Sequence, residues 1–164
     1  MVLFRPARIF ARSFSSGKHF LDSWPLKSRS GEVNLDELKK KVIMLYFSAG
    51  WCVTCKNFTP KLKEFYDKTK DDGFEVVWVS RDKSAEDQLE YYNKSLPPWP
   101  YFLYGSPAVR EVLKRYKIQG LPFAITLNSN GDVIDDAAKK TIETCIGPPQ
   151  QDPKALLQKW KKAQ

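Results

Sequence analysis

A chain of 164 residues, 42% hydrophobic and holding five Trp, seven Tyr and ten Phe, is sized for one well-packed domain. No apolar run approaches the roughly 18 residues of a membrane span, and three cysteines are too few for a disulfide scaffold and leave one over. The net charge of +8 invites a nucleic-acid reading, but only the first 21 residues are one-sided; elsewhere lysines and acids interleave as on a solvated surface, without a basic stripe, so no nucleic-acid partner is expected.

Those first residues carry Arg5, Arg8, Arg12 and Lys18 and no acid. On a helix of about 100° per residue, the three arginines fall on one face and Leu3, Ala7, Phe10 and Phe14 on the other. An Arg-rich, Ser-containing, amphipathic start is the description of a mitochondrial presequence, and Arg12-Ser13-Phe14-Ser15 resembles a cleavage pattern with arginine three places before the cut. The alternative for residues 1–20 is a disordered basic tail, with a cytoplasmic protein, and Pro6 weakens the helix. No continuous apolar segment of a secretory signal is present, which points to a reducing compartment.

From residue 21 the chain reads as a domain running to 164. Ser30-Gly31 signals a turn, Val33 fits a brief edge strand and Leu35–Leu38 at most one helical turn. Val42-Ile43-Met44-Leu45-Tyr46-Phe47 is a continuous apolar run, as expected of a central strand covered on both faces. After Cys52, residues Phe58, Leu62, Phe65 and Tyr66 share a helical face, with Pro60 inside the helix as a kink. Phe74–Ser80 is a second strand, and Ser84 with Asp87 opens a helix through Tyr91 and Tyr92. Leu96-Pro97-Pro98-Trp99-Pro100 reads as a stiff surface loop. Ser106-Pro107 caps a helix to about Tyr116, Phe123–Leu127 is a third strand, and Asn130-Gly131 turns into Val133-Ile134. Asp152-Pro153 caps a last helix with Leu156, Leu157 and Trp160 inward. The βαβ unit followed by a hairpin predicts an α/β, three-layer fold with a central mixed β-sheet flanked by helices.

Chemistry concentrates at Trp51-Cys52-Val53-Thr54-Cys55, at the junction of strand and helix. Two intervening residues place both sulfurs within one turn, close enough to bond to each other. The first falls at a helix N-terminus, where free N–H groups and the macrodipole favour a thiolate. A Cys-x-x-Cys pair alone is weak. Zinc would need both Cys145 and His19 as further ligands, so no metal is expected. Haem attachment needs His where Lys56 stands, and two inert buried cysteines are the remaining alternative.

The Trp-Cys-x-x-Cys after an apolar strand, with Gly120-Leu121-Pro122 before a later strand, resembles the thioredoxin superfamily. Tyr46-Phe47-Ser48-Ala49, Phe58-Thr59-Pro60 and Pro98-Trp99-Pro100 resemble its tryparedoxin/nucleoredoxin branch, and the similarity covers about residues 30 to 147. The resemblance implies a thioredoxin-like fold and a protein-disulfide reductase. Cys52 would be the exposed nucleophile and Cys55 the resolving thiol, the two closing into a redox disulfide. Trp51 would flank and shield the site, Pro122 would be in cis opposite the cysteines, the backbone of Leu121 would pair with an extended substrate, and Trp99 would border the substrate face or else anchor its loop. No bound cofactor is implied, because the sulfurs carry the electrons. The implied partners are disulfide-containing proteins and an upstream dithiol or thiol reductant.

Two positions depart from the pattern. Tryparedoxins usually have Pro-Pro between the cysteines, where this chain has Val53 and Thr54, so an altered reduction potential is expected. Thioredoxins keep a buried Asp six residues before the nucleophile, where Tyr46 stands, so the proton path of Cys55 must differ. Cys145 matches no catalytic position and reads as a buried thiol. A rival to the enzyme is a thioredoxin-fold binding module whose cysteine pair tunes partner contact, with the Trp99 loop and the Leu121 edge as its surface.

Overall fold

The computed structural model describes residues 19–164, so the presequence reading of residues 1–20 lies almost wholly outside the described residues. A 3₁₀ turn (Phe20–Ser23) is followed by β1 (Leu26–Ser28), β2 (Gly31–Glu32), α1 (Leu35–Leu38), β3 (Val42–Ser48), α2 (Val53–Thr69), β4 (Phe74–Ser80) and α3 (Ala85–Ser95). Then come β5 (Tyr101–Phe102), α4 (Pro107–Arg115), β6 (Phe123–Leu127), β7 (Val133–Asp135), α5 (Ala138–Ile146) and α6 (Pro153–Lys162). The strands form one mixed sheet in the order β2-β1-β5-β4-β3-β6-β7.

β3 lies near the middle of the sheet, paired parallel to β4 and antiparallel to β6, and all seven of its residues are buried. Its side chains alternate between two cores, as the two-residue period of a strand demands. Val42, Met44 and Tyr46 join Phe74, Val76 and Trp78 of β4 beneath α2, α3, α5 and α6. Ile43, Leu45 and Phe47 join Val77 and Val79 on the other side, under α1, α4 and the N-terminal turn. Burying one such side chain is worth about 1.5–3 kcal/mol, so this double-sided strand is the framework on which the loop after Ser48 rests.

Local signals explain most boundaries. Ser84, Ser106 and Asp152 accept the N–H groups of Asp87, Ala108 and Lys154 at the starts of α3, α4 and α6. α2 runs unbroken through Pro60. In the turn before β7, Gly131 has φ +81°, and a Cβ there would stand 2.9 Å from Phe20 Cγ, so glycine is required on two counts.

The structure differs from the expectation in four places. The strand pairing near Val33 is made by Gly31–Glu32 with Leu26–Ser28. β1 and β5 extend the sheet beyond β4. Helix α5 was not expected; its Ala138, Ile142 and Cys145 are buried but separated by polar residues. Leu96–Pro100 is not a surface loop: only Pro98 is exposed. Trp99 is fully buried, with ring centroids 6.1 Å from Tyr46 and 5.7 Å from Tyr66, and Tyr92 donates to its carbonyl at 2.9 Å. Proline-rich composition suggests a solvent-facing loop, but rigid prolines also suit a plug whose aromatic closes a core.

Trp99→Ala should therefore lower unfolding free energy by about 3–5 kcal/mol in denaturant titration. Trp99→Phe should cost less, since the indole N–H finds no acceptor among the described residues.

Candidate active site

At the end of β3 the chain turns through Ala49 and Gly50 into Trp51. The turn is tied to the end of β4: Arg81 N–H donates to Ser48 O at 2.9 Å, and the Asp82 carboxylate accepts Gly50 N–H at 2.8 Å and the Ser80 hydroxyl at 2.7 Å. Gly50 passes so close to Tyr91 that a Cβ would lie 3.1 Å from the Tyr91 Cβ. Trp51 is 58% exposed; its indole N–H donates to Arg81 O at 3.1 Å and its ring carries the Lys83 ammonium at 5.9 Å.

Cys52 is the N-cap of α2, in extended conformation, and its Sγ accepts the N–H of Cys55 at 3.2 Å. The two cysteines are joined in a disulfide, with Cα atoms 5.3 Å apart. Cys52 is only 6% exposed, so the expected exposed nucleophile is corrected to a buried residue whose remaining access is through the groove, and Cys55 is fully buried. The hydroxyl of Thr54 stands 3.4 Å from Cys52 Sγ. Ala49, Cys52, Cys55 and Leu121 pack as one small apolar cluster, and the Leu121–Pro122 bond is cis.

An open groove of about 550 Å³ runs across this cluster. Trp51, Cys52, Val53 and Thr54 form one wall, Leu113, Ile118, Gln119, Gly120 and Leu121 the other, and Arg81 also lines it. The structure thus brings Trp51, Cys52 and Leu121 to one surface with Cys55 beneath and Pro122 next in chain. Trp99 is excluded: it is buried in the core and lines no part of the groove, so its expected place on the substrate face is corrected to a loop anchor. The sequence reading missed Arg81 and the Ile118–Gly120 segment as groove residues. The available signal was topological, since β3 and β4 are parallel and end at the same edge, where ligands of open α/β sheets bind.

Behind the disulfide lies a hydroxyl cluster. Thr59 donates to Cys55 O at 2.9 Å, Tyr46 OH lies 3.3 Å from the same carbonyl and 2.8 Å from Thr59 Oγ1, and Tyr91 OH is 3.5 Å from Thr59 Oγ1. Burial pushes the phenols of Tyr46 and Tyr91 above their usual range. Both therefore stay protonated at neutral pH and act as hydrogen-bonding supports of the α2 first turn. Cys145 sits in the core on α5, its thiol pushed up by burial, while His19 caps the turn on the opposite face of the sheet.

A groove-facing sulfur capping a helix, bonded to a buried partner one turn on, defines a dithiol–disulfide redox centre. The family model described as thioredoxin-like matches residues 40–133. Tryparedoxin of Trypanosoma brucei brucei is 39% identical over 120 residues, covering 71% of this chain and 82% of that protein. Nucleoredoxin of Bos taurus is 34% identical over 139 residues, covering 81% of this chain but only 31% of the relative. Among solved structures, thioredoxin from Wuchereria bancrofti superimposes with a TM-score of 0.72 at 37% identity, covering 90% of this chain and all of that one. Tryparedoxin from Trypanosoma brucei gives 0.68 at 38% identity, over 74% and 85% of the two chains. The chain belongs to the thioredoxin superfamily, in its tryparedoxin/nucleoredoxin branch. It is a thiol-disulfide oxidoreductase acting on thiol and disulfide substrates.

Thr54 supplies a donor where a proline would supply none. When the disulfide opens, its hydroxyl and the Cys55 N–H are two donors near the Cys52 sulfur. Hydrogen bonds to charged groups are worth about 1.5–3 kcal/mol, and one pKa unit is about 1.4 kcal/mol. In the reduced protein, Thr54→Val should lower the fraction of Cys52 present as thiolate at neutral pH, read from thiolate ultraviolet absorbance or alkylation rate against pH. Thr54→Ser should retain the wild-type profile.

Proposed function

We propose that the protein reduces disulfides in other proteins, using Cys52 as nucleophile and Cys55 as resolving thiol. What supports this reading is the asymmetry of the pair: Cys52 lines the groove as the helix cap, while Cys55 is sealed below it. The Cys52 thiolate attacks one substrate sulfur, forming a mixed disulfide and expelling the other substrate sulfur as a thiolate. Cys55, as thiolate, then attacks Cys52 Sγ, closing Cys52–Cys55 and releasing the second substrate thiolate. Two electrons pass from the dithiol to the substrate, and a dithiol protein or small thiol must return them. Trp51 screens one flank of the reacting sulfur, and the Gly120–Leu121 backbone offers an edge for an extended substrate.

The binding-module alternative relied on the Trp99 loop and the Leu121 edge as a contact surface. Trp99 is buried, so only the Leu121 edge remains for it. Trapping separates the readings. Cys52→Ser should abolish turnover of an insulin-type protein disulfide, and Cys55→Ser should accumulate a stable mixed disulfide on Cys52. Full turnover by Cys52→Ser would refute the mechanism, and redox-dependent partner binding without turnover would favour the module.

The composition of residues 1–20 supports delivery to the mitochondrion. A fluorescent protein fused behind residues 1–25 should enter mitochondria, and an Arg5/Arg8/Arg12→Gln version should remain in the cytoplasm.

A further inference from the structure

Trp51 divides the surface beside the disulfide into two grooves of different charge. On one side lies the groove containing Cys52, in which Arg81 is the single charged residue. On the other lies a groove lined by Asp82, Asp87 and Glu90 with Lys56 and Lys94. The nearest acid to Arg81 in sequence, Asp82, faces that second groove and already accepts hydrogen bonds from Gly50 and Ser80. The backbone of Arg81 is pinned on both sides, by Ser48 O and by the Trp51 indole, so its Cα is held beside the turn that carries Cys52. Its exposed guanidinium has no ion pair or hydrogen bond among the described residues. Lys83 adds a second cation above the Trp51 ring.

We propose that this groove selects polypeptide disulfides carrying a carboxylate beside the reacting cysteine, with Arg81 as its counter-ion. The inference rests on the oxidoreductase reading and names its substrate class. A polypeptide is favoured over a small disulfide because the groove is open along its length. One wall of it is the Gly120–Leu121 backbone, whose N–H and C=O groups have no hydrogen-bond partner among the described residues. The remaining lining is mixed, with Val53, Leu113 and Ile118 beside Thr54 and Gln119. The expected substrate segment is therefore extended, with one acid near the disulfide. Such a charge steers encounter and register more than it adds raw affinity.

The test uses the reduced full chain and three synthetic peptides. Each is closed by one disulfide, and they differ only in the residue next to the attacked cysteine: Glu, Gln or Lys. An exposed pair is worth up to about 1 kcal/mol, so the Glu peptide should react about three- to five-fold faster than the Lys peptide at low salt. The ratio should shrink at high salt through screening. Arg81→Gln should bring the ratio close to one, and Arg81→Glu should invert it. Equal rates in the wild-type protein, or a preference that survives Arg81→Gln, would overturn the assignment while leaving the oxidoreductase reading intact. Reaction with none of the three peptides would overturn both. A strong preference for glutathione disulfide over every peptide would overturn the choice of a polypeptide.

Discussion

The site depends on one interaction, the Cys55 N–H held by Cys52 Sγ at the start of α2. The sulfur proposed to react is also the atom that caps the helix. A cap must accept a hydrogen bond, and a thiolate accepts better than a thiol, so the folded helix itself favours the reactive form. That bias is only as firm as the position of α2. The helix is held by Phe58, Leu62 and Phe65, packed against the Val42, Met44 and Tyr46 face of β3. Beneath the first turn, Thr59 and Tyr46 engage the Cys55 carbonyl, so Cys55 is located from its main chain as well as by the disulfide.

Sheet topology gathers the rest. β3 and β4 are parallel and end together, so residues 48–55 and 80–83 lie side by side. β6 runs antiparallel to β3 with Phe123 opposite Phe47, so the chain must enter β6 at the end where β3 leaves. That brings Leu121 and Pro122 to the cysteines across some 70 residues of sequence. The Asp82 carboxylate joins the two parallel strand ends through Gly50 and Ser80.

Long elements were legible because they carry periodicity. The runs at 42–47 and 74–80, the helix caps at Ser84, Ser106 and Asp152, and the Asn130-Gly131 turn all stand where the pattern put them. β1, β2 and β5 were not legible, because strands of two or three residues show no alternation and exist only through their neighbours. α5 carried the i, i+4, i+7 spacing of Ala138, Ile142 and Cys145, but it is short and Ala137 offers no side-chain cap to mark its start. Trp99 was misplaced because its prolines describe stiffness and say nothing of which way the ring faces. The cysteine pair and Leu121 were readable as a motif, whereas Arg81 becomes a groove residue only once the strand order is known.

The Val53-Thr54 dipeptide puts a hydroxyl beside the Cys52 sulfur. A donor aimed at Cys52 Sγ stabilises the thiolate of the reduced dithiol more than it stabilises the disulfide, whose sulfur carries no net charge. Stabilising the reduced form raises the reduction potential, and for a two-electron couple each tenfold change in equilibrium is about 30 mV. Relative to a donor-free residue at position 54, the hydroxyl makes the pair easier to reduce and a weaker reductant. The same bond increases the fraction of Cys52 ionised at neutral pH but lowers the nucleophilicity of each thiolate, since nucleophilicity falls with pKa. The attacking rate is greatest when the pKa lies near ambient pH. Threonine in place of proline therefore shifts the pair toward accepting electrons readily from its reductant, at some loss of driving force toward its substrate.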